Sequence, residues 1–127
     1  MHPMPKPEFT NTISVRHLPE QSDAQAGLHA FAYTVTIRNS GDVTAQLIAR
    51  HWIITDAHGH TEEVRGLAVV GHQPLLKPGE SFEYTSFTRL AAPHGTMRGT
   101  FFCMTEDARP FDAPIAEFGL TLASALH

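Results

Sequence analysis

Residues 64–74 read Val64-Arg65-Gly66-Leu67-Ala68-Val69-Val70-Gly71-His72-Gln73-Pro74, an approximation to the dinucleotide fingerprint G-x-G-x-x-G with alanine at the middle glycine. The fingerprint works where a strand ends in a tight turn and a helix begins, because the helix N-terminus supplies the free N–H groups that face a pyrophosphate. After Gly71 the chain continues His72-Gln73-Pro74-Leu75-Leu76-Lys77-Pro78. Two prolines in those seven residues forbid most of the helix that such a site requires. The element is strand-loop-strand, no βαβ unit surrounds it, and a Rossmann-type fold is excluded.

Gly66 and Gly71 then admit two readings. Both can be positive-φ or bulge residues in a connection between sheets, with Leu67, Val69 and Val70 plugging the end of the core. Alternatively, successive N–H groups over Gly66, Ala68 and Gly71 form a nest for phosphate, pyrophosphate or a nucleotide, with a divalent metal accompanying the anion and Arg65 or Lys77 as countercharge. The Cβ of Ala68 opposes close approach of an anion to that backbone.

Outward from this stretch the sequence has the grammar of strands. Phe31 to Ile37, FAYTVTI, alternates, with Phe31, Tyr33, Val35 and Ile37 on one face and Ala32, Thr34 and Thr36 on the other. Asn39-Ser40-Gly41-Asp42 is a turn, Gln46 to Thr55 a second strand, and Asp56-Ala57-His58-Gly59 the next turn. Further strands are expected over Thr12 to Leu18, Thr61 to Arg65, Phe82 to Thr88, Gly95 to Thr105 and Phe111 to Phe118, the last at a sheet edge because of Pro114. Turn signals recur at roughly 8–12-residue spacing, and no segment has helical periodicity. The prediction is an all-β protein, an antiparallel β-sandwich of seven to eight strands. Residues 1–11, with three prolines in the first seven, read as a flexible tail, and residues 12–127 as one domain.

Composition narrows the function classes. The 127 residues are 42% hydrophobic and 17% charged, the balance of a globular domain. The net charge is −4 and the nine Lys and Arg are scattered, so no basic stripe tracks a nucleic acid backbone. No run of about 18 apolar residues is present to span a membrane, and no signal-peptide stretch opens the chain. The lone Cys103 lies in the apolar run Phe101-Phe102-Cys103-Met104 and reads as a buried hydrophobe, which suits a reducing cytoplasm.

Nine histidines raise the question of a metal. His58 and His60 are the densest pair, and Asp56, Glu62 or His72 would have to supply a third ligand. Solvated turn residues are the competing reading. His51, inside an apolar strand, reads as a hydrogen-bonded structural residue. Glu62-Glu63 and Glu106-Asp107 are adjacent pairs that point apart or into water, no activated serine motif is visible, and no catalytic residue is assigned. Trp52, Phe82 and Tyr84 fit the core, whereas Phe87 falls on the other face of its strand. Exposed strand edges leave strand addition by a partner, or a homodimer, as the positive reading.

The strings Ala49-Arg50-His51-Trp52-Ile53-Ile54-Thr55-Asp56, Glu63-Val64-Arg65-Gly66, Val69-Val70-Gly71, Gln73-Pro74 and Leu76-Lys77-Pro78-Gly79-Glu80-Ser81-Phe82-Glu83-Tyr84-Thr85-Ser86 closely resemble the bacterial ApaG family, also called CorD. Gly95-Thr96-Met97-Arg98-Gly99 and Phe111-Asp112 fit as well, so that the resemblance runs roughly from Ile13 to Leu120. It implies a fibronectin type III-like or immunoglobulin-like sandwich and a cytoplasmic protein that requires no cofactor and has no established enzymatic activity. It further implies an association with cobalt resistance and magnesium efflux, so that Co²⁺ or Mg²⁺ enters as a candidate ion. Related domains in eukaryotic F-box proteins and a polymerase δ-interacting protein imply binding to an unidentified protein partner. Family members usually carry the full glycine fingerprint, with which phosphate binding has been linked; here the matching positions are Gly66, Ala68 and Gly71.

Overall fold

A computed structural model describes residues 4–122. The strands are β1 (Phe9–His17), β2 (His29–Asn39), β3 (Ala45–Asp56), β4 (Thr61–Leu67), β5 (Leu75–Leu76), β6 (Ser81–Leu90), β7 (Gly95–Thr105) and β8 (Pro110–Leu120). Among the described residues the only helical segment is a short 3₁₀ turn at Pro19–Gln21. All strand pairs are antiparallel, in a three-stranded sheet of order β1-β2-β6 and a five-stranded sheet of order β4-β3-β7-β8 to which β5 adds alongside β3. The fold is an eight-strand β-sandwich of the fibronectin type III/immunoglobulin-like class.

The alternation of β2 does what its pattern predicts. Phe31, Tyr33, Val35 and Ile37 are buried between the sheets. Across the interior, β3 changes parity: Ala45 and Leu47 are buried, then Trp52, Ile54 and Asp56. The switch comes from a bulge between Leu47 and Ala49, where β3 holds one residue more than β7. A second bulge lies opposite Met97 and Gly99, where β8 takes three steps from Ile115 to Phe118 against two on β7. The two irregularities bring Trp52 and Phe118 together inside, with ring centroids 5.9 Å apart in an edge-on arrangement. Tyr33 at 5.5 Å and Phe101 at 6.0 Å complete the cluster, also edge-on.

Three expectations are corrected. The tail ends earlier than residue 11, because Phe9 already begins β1, is 4% exposed and packs edge-on against Phe111 of β8 at 5.4 Å. Ser40 ties the preceding segment down, its N–H donating to the Glu8 carbonyl at 3.0 Å and its hydroxyl to the Glu8 carboxylate at 2.9 Å. Residues 1–3 of the expected tail, and His2 and His127, lie outside the described residues. The core is not plugged by Leu67 and Val70, which are 73% and 57% exposed; only Val69 is buried. Finally β5 was not anticipated, since two residues carry no periodicity. β7 has its expected limits, β1 ends one residue before the expected Leu18, β2, β3, β4, β6 and β8 run one or two residues past theirs at one or both ends, and β8 with Pro114 is an edge strand as expected.

Cys103 is 4% exposed among core side chains, and burial, aided by the Asp112 carboxylate, pushes its thiol up to about 12. A thiol-specific reagent at pH 8 is therefore expected to leave the folded protein unmodified and to label it stoichiometrically in denaturant. Labelling of the native protein at the rate of a free thiol would contradict this placement.

Candidate functional site

The 64–74 stretch begins in β4, and Gly66 is an ordinary strand residue paired with Arg50 of β3, neither in a bulge nor at positive φ. Its role is space. A Cβ at this position would lie 2.9 Å from Nη1 and 3.3 Å from Cζ of Arg50, so the missing side chain makes room for the guanidinium. From there Arg50 Nη1 donates to the carbonyls of Leu67 at 2.9 Å and Ala68 at 3.0 Å. The cation beside the loop is Arg50, not Arg65 or Lys77. Arg65 instead lies 3.6 Å from Glu63.

Beyond Ala68 the chain makes a two-residue hairpin turn. Val69 and His72 exchange backbone hydrogen bonds at 2.8 and 2.9 Å, and Val70 and Gly71 between them have φ of 48° and 79°. Positive φ at both central positions is the signature of a type I′ turn, in which Asn-Gly is the usual pair. Gly71 suits its position, but Val70 is β-branched and strained there. Ala68 is strained as well, at φ 68°. Its N–H donates to Ile48 O at 2.8 Å. The amides of Ala68, Val69 and His72 are thus engaged within the protein, and the loop turns carbonyls toward Arg50. That leaves Val70 and Gly71 as the amides with no partner among the described residues.

Arg50 also lines a cleft of about 600 Å³ between the sheets. On one side of the sandwich β1 packs against β8, where Asn11 Nδ2 donates to Pro114 O at 3.3 Å. On the other, the edge strands β4 and β6 stand apart, and the cleft opens between them with Trp52 and Tyr33 on its walls and Glu62, Ser86 and Arg89 toward its rim. Tyr84 lies deeper on the same face of β6. Its hydroxyl is buried without a hydrogen-bond partner, and burial, reinforced by Tyr33, drives its pKa well above the usual tyrosine range.

The candidate metal residues sit at the opposite end of the β3–β4 hairpin. Both His58 and His60 are exposed, and their backbone N–H groups donate to Asp56 Oδ1 at 2.9 and 3.0 Å. Asp56 is therefore engaged as the turn's organising acceptor. His72 is not near this pair in the chain fold; it packs against Phe82 with ring centroids 5.5 Å apart. Among the described residues no group of three or more His, Cys, Asp or Glu side chains comes together to hold a metal ion. His51 is hydrogen-bonded as expected, Nε2 to Glu63 Oε1 at 2.8 Å. That bond, with Arg65 adding its charge, holds the Glu63 carboxyl below the usual range against the opposing effect of desolvation.

A second surface lies on the outer face of the five-stranded sheet. Register places Leu75 and Met104 on either side of Gln46, and Leu67 and Phe102 on either side of Ala49. All four flanking side chains are exposed, from 37% at Met104 to 73% at Leu67. A shallow groove of about 390 Å³ runs past Gln46, Ile48, Leu75, Met104 and Ala108. Sequence reading identified Phe87, 61% exposed, as the outlying aromatic. It missed this patch because the exposed apolar residues on it come from three strands.

Comparison with known proteins adds the following. A family model described as the ApaG domain matches residues 19–105. "Protein ApaG" of Ralstonia nicotianae is 56% identical over 124 residues, covering 98% of this chain and all of that protein. "Protein ApaG" of an Acidovorax species is 58% identical over 119 residues, covering 92% of this chain and 87% of its own length. A crystal structure of a Bordetella pertussis protein described as ApaA superposes with a TM-score of 0.91 at 53% identity, covering 95% of this chain and 98% of the other.

Two outcomes follow for the loop and its neighbour. An L-residue in the left-handed region is disfavoured by about 1–2 kcal/mol, and glycine's greater freedom in the unfolded chain offsets about half of that. Ala68→Gly is therefore expected to raise Tm by about 2–5 °C, measured by calorimetry; a lower Tm would contradict the strain. Glu63 has a folded-state pKa below its unfolded one, so its contact contributes stability above about pH 4.3 and loses it as pH falls through the lower folded value. Glu63→Gln should unfold at a lower temperature than the parent at neutral pH, with the gap closing in acid. A gap that widens in acid would exclude the assignment.

Proposed function

The chain belongs to the ApaG domain family, and from that premise we propose that it is a non-catalytic, cytoplasmic protein-binding module that influences Co²⁺ resistance and Mg²⁺ efflux through a protein partner. One observation carries the reading: the outer face of the five-stranded sheet, which in an antiparallel sandwich is ordinarily polar, bears Leu67, Leu75, Phe102 and Met104 in adjacent register positions. Methionine and aromatic side chains are enriched in the centres of protein interfaces, and contiguous exposed apolar residues are where partners dock. The ions act on the partner in this reading, and His58 and His60 are not its ligands.

A second reading, phosphate or pyrophosphate held with Mg²⁺ at the Gly66–Gly71 loop, has in its favour the two amides of Val70 and Gly71. It has against it the three neighbouring amides already engaged and the carbonyls clamped on Arg50.

Leu75→Glu and Met104→Glu alter exposed side chains and are expected to leave Tm nearly unchanged. In cells the wild-type chain should cross-link to a discrete partner that both variants lose and that Thr85→Glu, on the outer face of the other sheet, retains. The same two variants should reproduce the cobalt sensitivity of a deletion strain. Retention of the partner and of cobalt tolerance in both variants would remove the groove from the function.

A further inference from the structure

Arg50 is a half-buried cation with part of its donor capacity unused. A guanidinium has five N–H donors, and the two on Nη1 go to the carbonyls of Leu67 and Ala68. Among the described residues Nε and Nη2 have no acceptor, and no carboxylate lies within 4.0 Å of the group. The ion pairs present instead join Lys6 to Glu8, His51 and Arg65 to Glu63, and Arg109 to Asp107. The two loop carbonyls and the bare Cα of Gly66 fix the guanidinium, so its remaining edge is preorganised. The Nε–Nη2 edge is the one that meets a carboxylate or phosphate with two parallel hydrogen bonds.

The surroundings select what carries the anion. Arg50, Trp52 and Ile54 face the cleft along β3, with Gly66, Val64 and Glu62 opposite them on β4. Arg50 and Ile54 are therefore about 13 Å apart along the strand, with Trp52 and Val64 between them. At the far end Glu62 and Arg89 are of opposite sign and balance. Between the two ends Trp52 and Val64 are apolar, and the other sheet lines the cleft with Tyr33 and its register partner Ser86, whose hydroxyls can donate to an acid group. A volume of about 600 Å³ lies within the range of small-molecule sites.

We propose that this inter-sheet cleft binds a small organic anion, a carboxylate or phosphate monoester on an apolar body, with the acid group gripped by Nε and Nη2 of Arg50 and the body lying against Trp52. The site is separate from the outer groove and from the amides of the 66–71 loop. Inorganic phosphate would satisfy Arg50 alone and leave the apolar stretch empty, so the apolar body is part of the recognition.

Trp52 is the only tryptophan in the chain, so its fluorescence reports on the cleft directly. Titration of the full chain with hexanoate and with hexyl phosphate should shift its emission saturably, hexanol should not, and inorganic phosphate should bind more weakly than hexyl phosphate. The acid that binds more tightly identifies the head group, and either result supports the site. Arg50→Gln is expected to weaken binding about ten-fold or more, as loss of a charged hydrogen-bonding partner does. Arg65→Gln, which removes the same charge from the outer face of β4, should change nothing. Because Arg50 also holds the loop, Tyr33→Phe is the second variant; it keeps the ring in the core and should weaken binding several-fold. No saturation at millimolar acid, an equal response to hexanol, or unaltered affinity in a folded Arg50→Gln protein or in Tyr33→Phe would overturn the proposal.

Discussion

One extra residue in β3 sets the interior of this sandwich. A strand with strict alternation would carry the odd-numbered side chains inward from Ala45 onward, burying His51 and turning Trp52 to solvent. The bulge between Leu47 and Ala49 reverses the parity, so Trp52 enters the core and His51 meets Glu63 outside. The bulge in β8 does the same for Phe118. The edge-on contacts of Trp52 with Tyr33, Phe101 and Phe118 then join four strands of the two sheets.

The same parity switch determines the electrostatics of the cleft. Arg50 lies two residues before Trp52 and is carried inward with it. A guanidinium drawn between sheets needs acceptors, and the nearest are the carbonyls of Leu67 and Ala68, reached over Gly66. To present those carbonyls the chain leaves β4 through Ala68 at positive φ and then turns tightly at Val70 and Gly71. The loop's strain and Arg50's position are thus two parts of one arrangement, in which local backbone energy is offset by satisfying a half-buried charge.

Much of the fold was legible in the chain. The clean alternation of Phe31 to Ile37, the turn at Asn39 to Asp42 and the prolines after Gly71 specified strands and excluded a nucleotide-binding α/β unit, because these signals act within a few residues. The start of β1 was not legible, since Phe9 is surrounded by polar and proline residues and becomes a strand only through pairing with Asn39 and packing on Phe111. At the candidate site Gly66, Ala68 and Gly71 were singled out as one motif, yet they do three different things: one gives space, one bears strain and one turns the chain. A glycine's spacing does not reveal which.

By itself the sequence determined the all-β class, the strand-loop-strand character of residues 64–74, the burial of Cys103 and Trp52, and the resemblance that the ApaG comparisons bear out. These rest on period, turn chemistry and residue type, which are local properties. Tertiary structure alone decided that Arg50 faces inward, that four exposed apolar side chains from three strands share one outer surface, and that β4 and β6 stand apart over a cleft. Each depends on bulges and on register between distant strands, and a shift of one residue there moves every side chain to the opposite face.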